Sequence, residues 1–280
     1  MDKIKIIGEI GVNHNGDMSI VKNMIKLAVK NGLDYVKFQK RDVETCYLKE
    51  DLDKPRESPW GTTNREQKMG LELTKENYDW IDAFCKKQNI KWTASVWDIP
   101  SVDFICQYEI PFIKIPSALI TDFQLLDYVD QKGIETVMSV GMSTKEEVDD
   151  ALEILGNTCT TIMHTTSSYP TPLAELNLSK IITLKNEYSP DYKIGYSNHF
   201  KSPMAIMFAA ALGIDMLEYH YTLDRASYGS DQAASLEGRA MEMINDWLVD
   251  LPLAMGDGEW KVQESEINVM KKLRRYSSIV

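Results

Sequence analysis

The chain has only four histidines, and each stands at or just past the end of a short apolar run: His14, His164, His199 and His220. Two of them keep polar company. Ser197-Asn198-His199 and Glu218-Tyr219-His220 place hydroxyl and carboxylate groups beside an imidazole, and Asp231 follows downstream. Two imidazoles with carboxylates and water suit Mn²⁺ or a related divalent ion, Mg²⁺ or Co²⁺, better than a structural zinc. The alternative is four core histidines, each held by hydrogen bonds. Two lysines also stand inside apolar runs, Lys37 in Tyr-Val-Lys-Phe-Gln and Lys114 in Phe-Ile-Lys-Ile-Pro-Ser. A lysine there is costly unless it is paired or used. Three uses are open: a desolvated Schiff-base amine, a pair of fixed cations clamping phosphate and carboxylate, or lysines paired with buried acids. Hydroxyls at further run ends, on Ser95, Ser117, Ser139, Ser167 and Tyr169, favour the anion clamp.

Elements must bring these groups together. β-branched runs recur at 5–10, 35–39, 92–96, 112–116, 136–140, 160–165, 193–197 and 216–221. Many are apolar almost throughout, as parallel strands buried on both faces are. Helical patterns fill the gaps. One runs over 19–31, one opens at Thr74, one at Ser143-Thr144 with acids in its first turn, and one at Ser202-Pro203. Eight strands alternating with helices predict an α/β chain folded as one (β/α)₈ TIM barrel over 1–280. In such a barrel the C-terminal ends of all strands share one face, and the active site sits there. A doubly wound open sheet is the rival, but no GxGxxG follows the first strand. Residues 40–73 break the rhythm and predict a lid-like loop after the second strand. Residues 256–280 read as a short packing extension.

Composition narrows the function classes. The formal charge is −11, with 31 Lys and Arg against 42 Asp and Glu. That excludes an extended nucleic-acid surface, yet a few lysines can still focus positive potential in one cleft. No apolar run approaches the length of a membrane span. The opening Met-Asp-Lys-Ile-Lys is no secretory signal, and the four cysteines are scattered, so a cytoplasmic protein with free thiols is expected.

Longer motifs extend this reading. Gly8-Glu9-Ile10-Gly11-Val12-Asn13-His14-Asn15-Gly16, Lys114-Ile115-Pro116-Ser117, Ser139-Val140-Gly141-Met142-Ser143-Thr144 and His164-Thr165-Thr166-Ser167-Ser168-Tyr169-Pro170 resemble the sialic acid synthases. So does the stretch from Gly195-Tyr196-Ser197-Asn198-His199 through Glu218-Tyr219-His220 to Gly229-Ser230-Asp231, in the same order. The resemblance implies a barrel that condenses phosphoenolpyruvate with an N-acylated amino sugar, N-acetylmannosamine or a diacetamido-trideoxyhexose. The products are a nine-carbon 2-keto-3-deoxy acid and phosphate. It implies that His199 and His220 bind the metal and that Glu9 positions water and sugar. It places Lys37, Ser95, Lys114, Ser117, Ser139, Ser167, Tyr169 and Ser197 on phosphoenolpyruvate. Glu218 and Asp231 fall on the sugar and metal side, and Asn64 touches the sugar. The family pairs its barrels into homodimers. Metal ligation by histidine implies falling activity below about pH 6.

Three departures stand out. The family carries a C-terminal antifreeze-like domain that supplies an Arg to the sugar, and this sequence stops before it. The 40–73 segment, with Arg56, Arg65 and Lys68, is the expected partial substitute. Leu119 stands where a sugar-contacting Glu is common, and Tyr219 where Lys or Arg is usual. Condensation with another sugar or a sugar phosphate, a Schiff-base aldolase of pyruvate and a non-catalytic sugar-binding subunit are the alternatives.

Overall fold

The strands of the computed structural model, which describes residues 3–276, are β1 Lys5–Gly11, β2 Tyr35–Lys40, β3 Pro55–Ser58, β4 Gly61–Thr63, β5 Lys91–Val96, β6 Ile113–Ile115, β7 Thr136–Ser139, β8 Cys159–His164, β9 Lys193–Asn198 and β10 Met216–His220. Eight of them close a barrel in the order β1-β10-β9-β8-β7-β6-β5-β2. Every pairing around the ring is parallel. This is the expected (β/α)₈ architecture. The strand ranges match the eight apolar runs to within a few residues, because runs apolar on both faces have no other place to go.

Period two along the strands sorts the side chains. Outward residues such as Val36, Phe38, Ala94, Ile115, Ile162 and Leu217 join the helices in the main core. Inward residues form layers. Ile7, Phe112, Val137, Met163 and Met216, with Tyr35 against them, plug the lower barrel. Above this apolar floor the inward positions turn polar.

The helices begin where local chemistry caps them. Met18–Lys30 is capped by Asp17, not begun at Ser19. Lys75–Gln88 has the expected Thr74 capping box, and Lys145–Leu155 uses Thr144 in place of Ser143. Met204–Ala211 starts just after Pro203. Among the described residues no helix is long and apolar enough to cross a membrane.

Two expectations are corrected. Residues 40–73 are not an irregular loop. They form helices Val43–Cys46 and Lys49–Leu52, the β3–β4 hairpin, and helix Asn64–Leu71 with a Thr63–Glu66 capping box. Leu52 anchors the unit from the core side. Trp60 lies on Gly70 so closely that an added Cβ would stand 2.1 Å from the indole, so only glycine serves there. Trp60 also meets Tyr228 edge-on at 5.7 Å, tying the insertion to the segment after β10. The second correction is the tail. Helix Glu264–Leu273 buries no side chain and Trp260 is fully exposed, so this stretch does not pack on the barrel. Positions 277–280 of the expected extension lie outside the described residues.

Candidate active site

The polar layer opens into a cavity of about 160 Å³ at the C-terminal ends of the strands. At its base two buried lysines face two buried carboxylates. Lys37 Nζ lies 2.6 Å from Glu9 Oε2 and 3.7 Å from Glu218 Oε1. Lys114 Nζ lies 3.8 Å from Glu218 Oε2. Period two explains the grouping. β1 and β2 pair Glu9 with Lys37 in register, and β9 and β10 pair Ser197 with Glu218. The third reading of the lysines therefore holds together with the second: they are paired with acids, and they line the cavity.

Hydroxyls complete the base. Lys37 donates to Ser95 Oγ at 2.8 Å and Lys114 to Ser139 Oγ at 2.6 Å, which leaves each hydroxyl proton free to point at a ligand. Ser117 Oγ accepts from Gly141 N at 3.0 Å. A Cβ on Gly141 would meet Ser167 Oγ at 2.4 Å and Ser117 Oγ at 3.0 Å, so this glycine lets the two serines converge. Ser197 Oγ donates to Glu218 Oε1 at 3.0 Å.

Burial and charge set the protonation states. Burial alone would raise the Glu218 carboxyl, but Lys114, Lys37 and His220 outweigh it and hold it at about 2. Burial lowers Lys37, yet Glu218 and Glu9 more than restore it, above the usual lysine range. Lys114 is less well compensated. Burial and the Lys37 charge pull it down to about 8 against the attraction of Glu218.

Two imidazoles stand on the wall above. The His199 and His220 rings are 5.5 Å apart, and Tyr169 lies against His199 at 4.0 Å between centroids. His199 Nδ1 sits 2.8 Å from the Thr166 carbonyl, which fixes the proton on Nδ1 and leaves a lone pair on Nε2. Burial and the neighbouring His220 push His199 down to about 3, so the ring is neutral at physiological pH. The expected loss of ligation below about pH 6 therefore moves to lower pH for this residue. His220 Nδ1 is buried without a hydrogen-bond partner, with Asp231 Oδ2 3.8 Å away. Among the described residues no three His, Cys, Asp or Glu side chains form a ready metal cage. Two buried imidazoles, one with an orphaned nitrogen, still fit a divalent ion completed by water or substrate oxygens.

The other two histidines do not join. His14 accepts from Gly16 N at 3.0 Å and is buried, which pushes it down to about 4. His164 is an outward position of β8, between inward Met163 and Thr165, and bonds the Leu176 carbonyl at 2.9 Å. Four histidines on one face thus reduce to two at one site. Asn64 is not at the cavity either: its amide donates to the Asp51 carbonyl at 2.9 Å within the insertion. Arg65 is engaged by Glu44 and Asp53 on the surface, so it is no sugar ligand here. Asp231 is not among the lining residues, but its Oδ2 lies 3.8 Å from His220 Nδ1 and gathers with Glu9 and Gln39 around Gly11. Leu119 turns to a separate cleft beside Tyr47 and Ile99, while its neighbour Ala118 lines the cavity. Tyr219 is an outward, buried residue and contacts no ligand space.

Gln39, Trp97, Ala118, Met142 and Thr165 also line the cavity, beyond the residues expected from sequence. Gln39 and Thr165 continue the inward parity of β2 and β8, a signal that was readable. Gln39 Nε2 donates to Glu9 Oε1 at 3.0 Å and steadies that carboxylate. Gly11, at φ +55°, sits where a Cβ would crowd Glu9, Gln39 and Asp231.

Comparison with known proteins decides the family. A model described as the NeuB family matches residues 24–260. The chain belongs to the NeuB family. It is 33% identical to N,N'-diacetyllegionaminic acid synthase of Campylobacter jejuni, covering 97% of this chain and 84% of that protein. It is 35% identical to the N-acetylneuraminate-9-phosphate synthase of Homo sapiens, covering 85% of this chain and 68% of that protein. The crystal structure of a sialic acid synthetase from Leptospira borgpetersenii in complex with citrate superposes with a TM-score of 0.83 at 27% identity, over 98% of this chain and 94% of that one. The NeuB-family chain is thus an enzyme of the transferase type that forms C–C bonds.

Proposed function

We propose that the enzyme condenses phosphoenolpyruvate with the aldehyde of an N-acylated amino sugar, giving a 2-keto-3-deoxy acid and phosphate. One observation carries the reading. Two buried lysines, each already bonded to a serine hydroxyl, floor an open cavity beside a pair of buried imidazoles. The names of the relatives supply the reaction class.

In this reading the phosphate and carboxylate of the donor sit on Lys37, Lys114 and the hydroxyls of Ser95, Ser139, Ser117 and Ser167. The enol C3 forms the new bond to the aldehyde carbon. A water oxygen bonds to C2, the C2–O bond to phosphate breaks, and C2 becomes the ketone. His199 and His220 are the residues that would hold a divalent ion, and such an ion supplies Lewis acidity for the aldehyde oxygen. Ser197 holds Glu218 in place, and Tyr169 packs against the imidazoles.

The carboxylates are counter-ions before they are bases. A group held at about 2 is a poor general base at neutral pH. Phosphoenolpyruvate brings its own negative charge to the same lysines, which loosens their hold on Glu218 and raises its basicity as the donor binds. Glu9, gripped by Lys37 and Gln39, orients the Lys37 ammonium. The lysines then neutralise the departing phosphate.

A second reading has one observation in its favour: Lys114 at about 8 is more nucleophilic than an ordinary lysine. Borohydride trapping of a pyruvate adduct on Lys114 separates it. Trapping supports the Schiff-base aldolase, and phosphate release without trapping supports the condensation. Homodimerisation and a cytoplasmic location are further proposals, checked by light scattering and by fractionation.

A further inference from the structure

Arg41 follows β2 directly and continues the inward line of Tyr35, Lys37 and Gln39 above the barrel. It is not among the residues that line the cavity, yet its side chain is only 13% exposed. The condensation itself does not use it. Its guanidinium lies 4.2 Å over the Trp97 ring and donates to Gln39 Oε1. Trp97 and Gln39 both line the cavity. A side chain that ends on two wall residues, outside the cavity, acts through those residues.

An unbroken line of side chains joins Arg41 to the donor lysine. Arg41 donates to Gln39 Oε1, and Gln39 Nε2 donates to Glu9 Oε1 at 3.0 Å. Glu9 Oε2 lies 2.6 Å from Lys37 Nζ, and Lys37 donates to Ser95 Oγ at 2.8 Å. Each link has one polarity. A guanidinium only donates and a carboxylate only accepts, so the Gln39 amide between them turns its oxygen to Arg41 and its nitrogen to Glu9. Glu9 is then held at both oxygens. Lys37 cannot shift toward Glu218 Oε1, 3.7 Å away, without loosening the closer pair. Losing the Arg41 hydrogen bond frees the amide, and the slack passes to Glu9 and on to Lys37.

Anchoring the insertion does not account for the guanidinium. The insertion's Glu72 comes no nearer to it than 3.9 Å, too far for a hydrogen bond. The same carboxylate accepts from the Arg41 backbone N–H and from Lys40 Nζ, both at 3.2 Å. Those two bonds tie the end of helix Asn64–Leu71 to β2 whatever side chain stands at position 41. The hydrogen bond that the guanidinium does make goes to Gln39. We propose that Arg41 is a positioning residue for the donor: through Gln39 and Glu9 it sets where the Lys37 ammonium stands. This rests on the condensation reading, which supplies phosphoenolpyruvate as the ligand of Lys37.

Calorimetric titration of the whole chain with phosphoenolpyruvate, in EDTA and without acceptor, tests this as a double-mutant cycle. Arg41→Met keeps a long side chain over Trp97 but removes the donor, and it should weaken binding about fivefold. Gln39→Ala should weaken it about tenfold. The double variant should match Gln39→Ala to within about twofold, because Arg41 then has nothing to act on. Arg41→Lys keeps one donor for Gln39 and should lose less than Arg41→Met; it carries the cycle where the methionine variant does not fold. Glu72→Gln should bind as the parent does, to within about twofold. Three results overturn the assignment and leave the condensation standing, because the parent still binds the donor. They are an Arg41→Met affinity equal to the parent's, a double variant weakened by the product of the two single losses, and a Glu72→Gln loss as large as that of Arg41→Met. A parent chain that does not bind phosphoenolpyruvate overturns both.

Discussion

Lys114 Nζ and Glu218 Oε2 face each other 3.8 Å apart inside the barrel, close enough to attract but not to share a hydrogen bond. The lysine is thereby under-compensated, and burial leaves it at about 8. In free enzyme it loses its proton as pH rises through that value. Bound phosphoenolpyruvate adds negative charge and holds the proton on. The expected result is a kcat/KM for phosphoenolpyruvate that falls as pH rises through about 8, with kcat holding to higher pH. A kcat/KM flat to about pH 9.5 would contradict it.

Glu218→Gln leaves two buried cations with one counter-ion. Removing one partner of a buried ion pair costs about 3 kcal/mol. Chemical denaturation without ligand should show that loss. Phosphoenolpyruvate should then stabilise the variant more than the parent, because its charges replace the missing carboxylate. Equal ligand stabilisation of both proteins would rule this out.

Gly141→Ala drives a methyl against Ser167 Oγ and Ser117 Oγ, at 2.4 and 3.0 Å before relaxation. Displacing hydroxyls from a charged ligand should raise KM for phosphoenolpyruvate about tenfold, with a small change in melting temperature. A KM within twofold of the parent removes these serines from the donor site.

His14 is neutral and buried, at about 4 against an ordinary 6.5. Between those values the unfolded chain binds a proton that the folded chain excludes. Stability therefore rises with pH across that window and is lost on acidification, by roughly 3 kcal/mol for a complete shift. His14→Asn keeps an acceptor for Gly16 N but cannot titrate. Its stability should fall less steeply between about pH 6.5 and 4.5 than that of the parent, by close to one proton. Identical slopes would show that His14 does not carry the effect.

The barrel was legible in the sequence because its strands are apolar on both faces and nothing else explains a polar residue inside such a run. That logic found Lys37, Lys114, Ser95, Ser139, Ser197, Glu218 and His220, all on the inward parity of their strands. The same parity excludes His164, which sits one residue off and faces outward. Other features had no local signal. The Glu9–Lys37 pair joins two strands, and its partner choice depends on barrel closure. Asn64 lies in an insertion whose folding turns on Trp60 packing against Gly70, a contact that spacing does not announce. The tail, expected as a short packing extension, instead leaves Trp260 and Leu273 facing solvent.

The central claim is the condensation at the lysine floor. The most direct measurement is phosphate release from phosphoenolpyruvate with N-acetylmannosamine, its 6-phosphate and the diacetamido-trideoxyhexoses, each with Mn²⁺ and with EDTA. The account predicts release only when an acylated amino sugar and the divalent ion are both present, in step with sugar consumption, and lost in Lys114→Met. No release with any acylated amino sugar, or release that survives Lys114→Met undiminished, would contradict it.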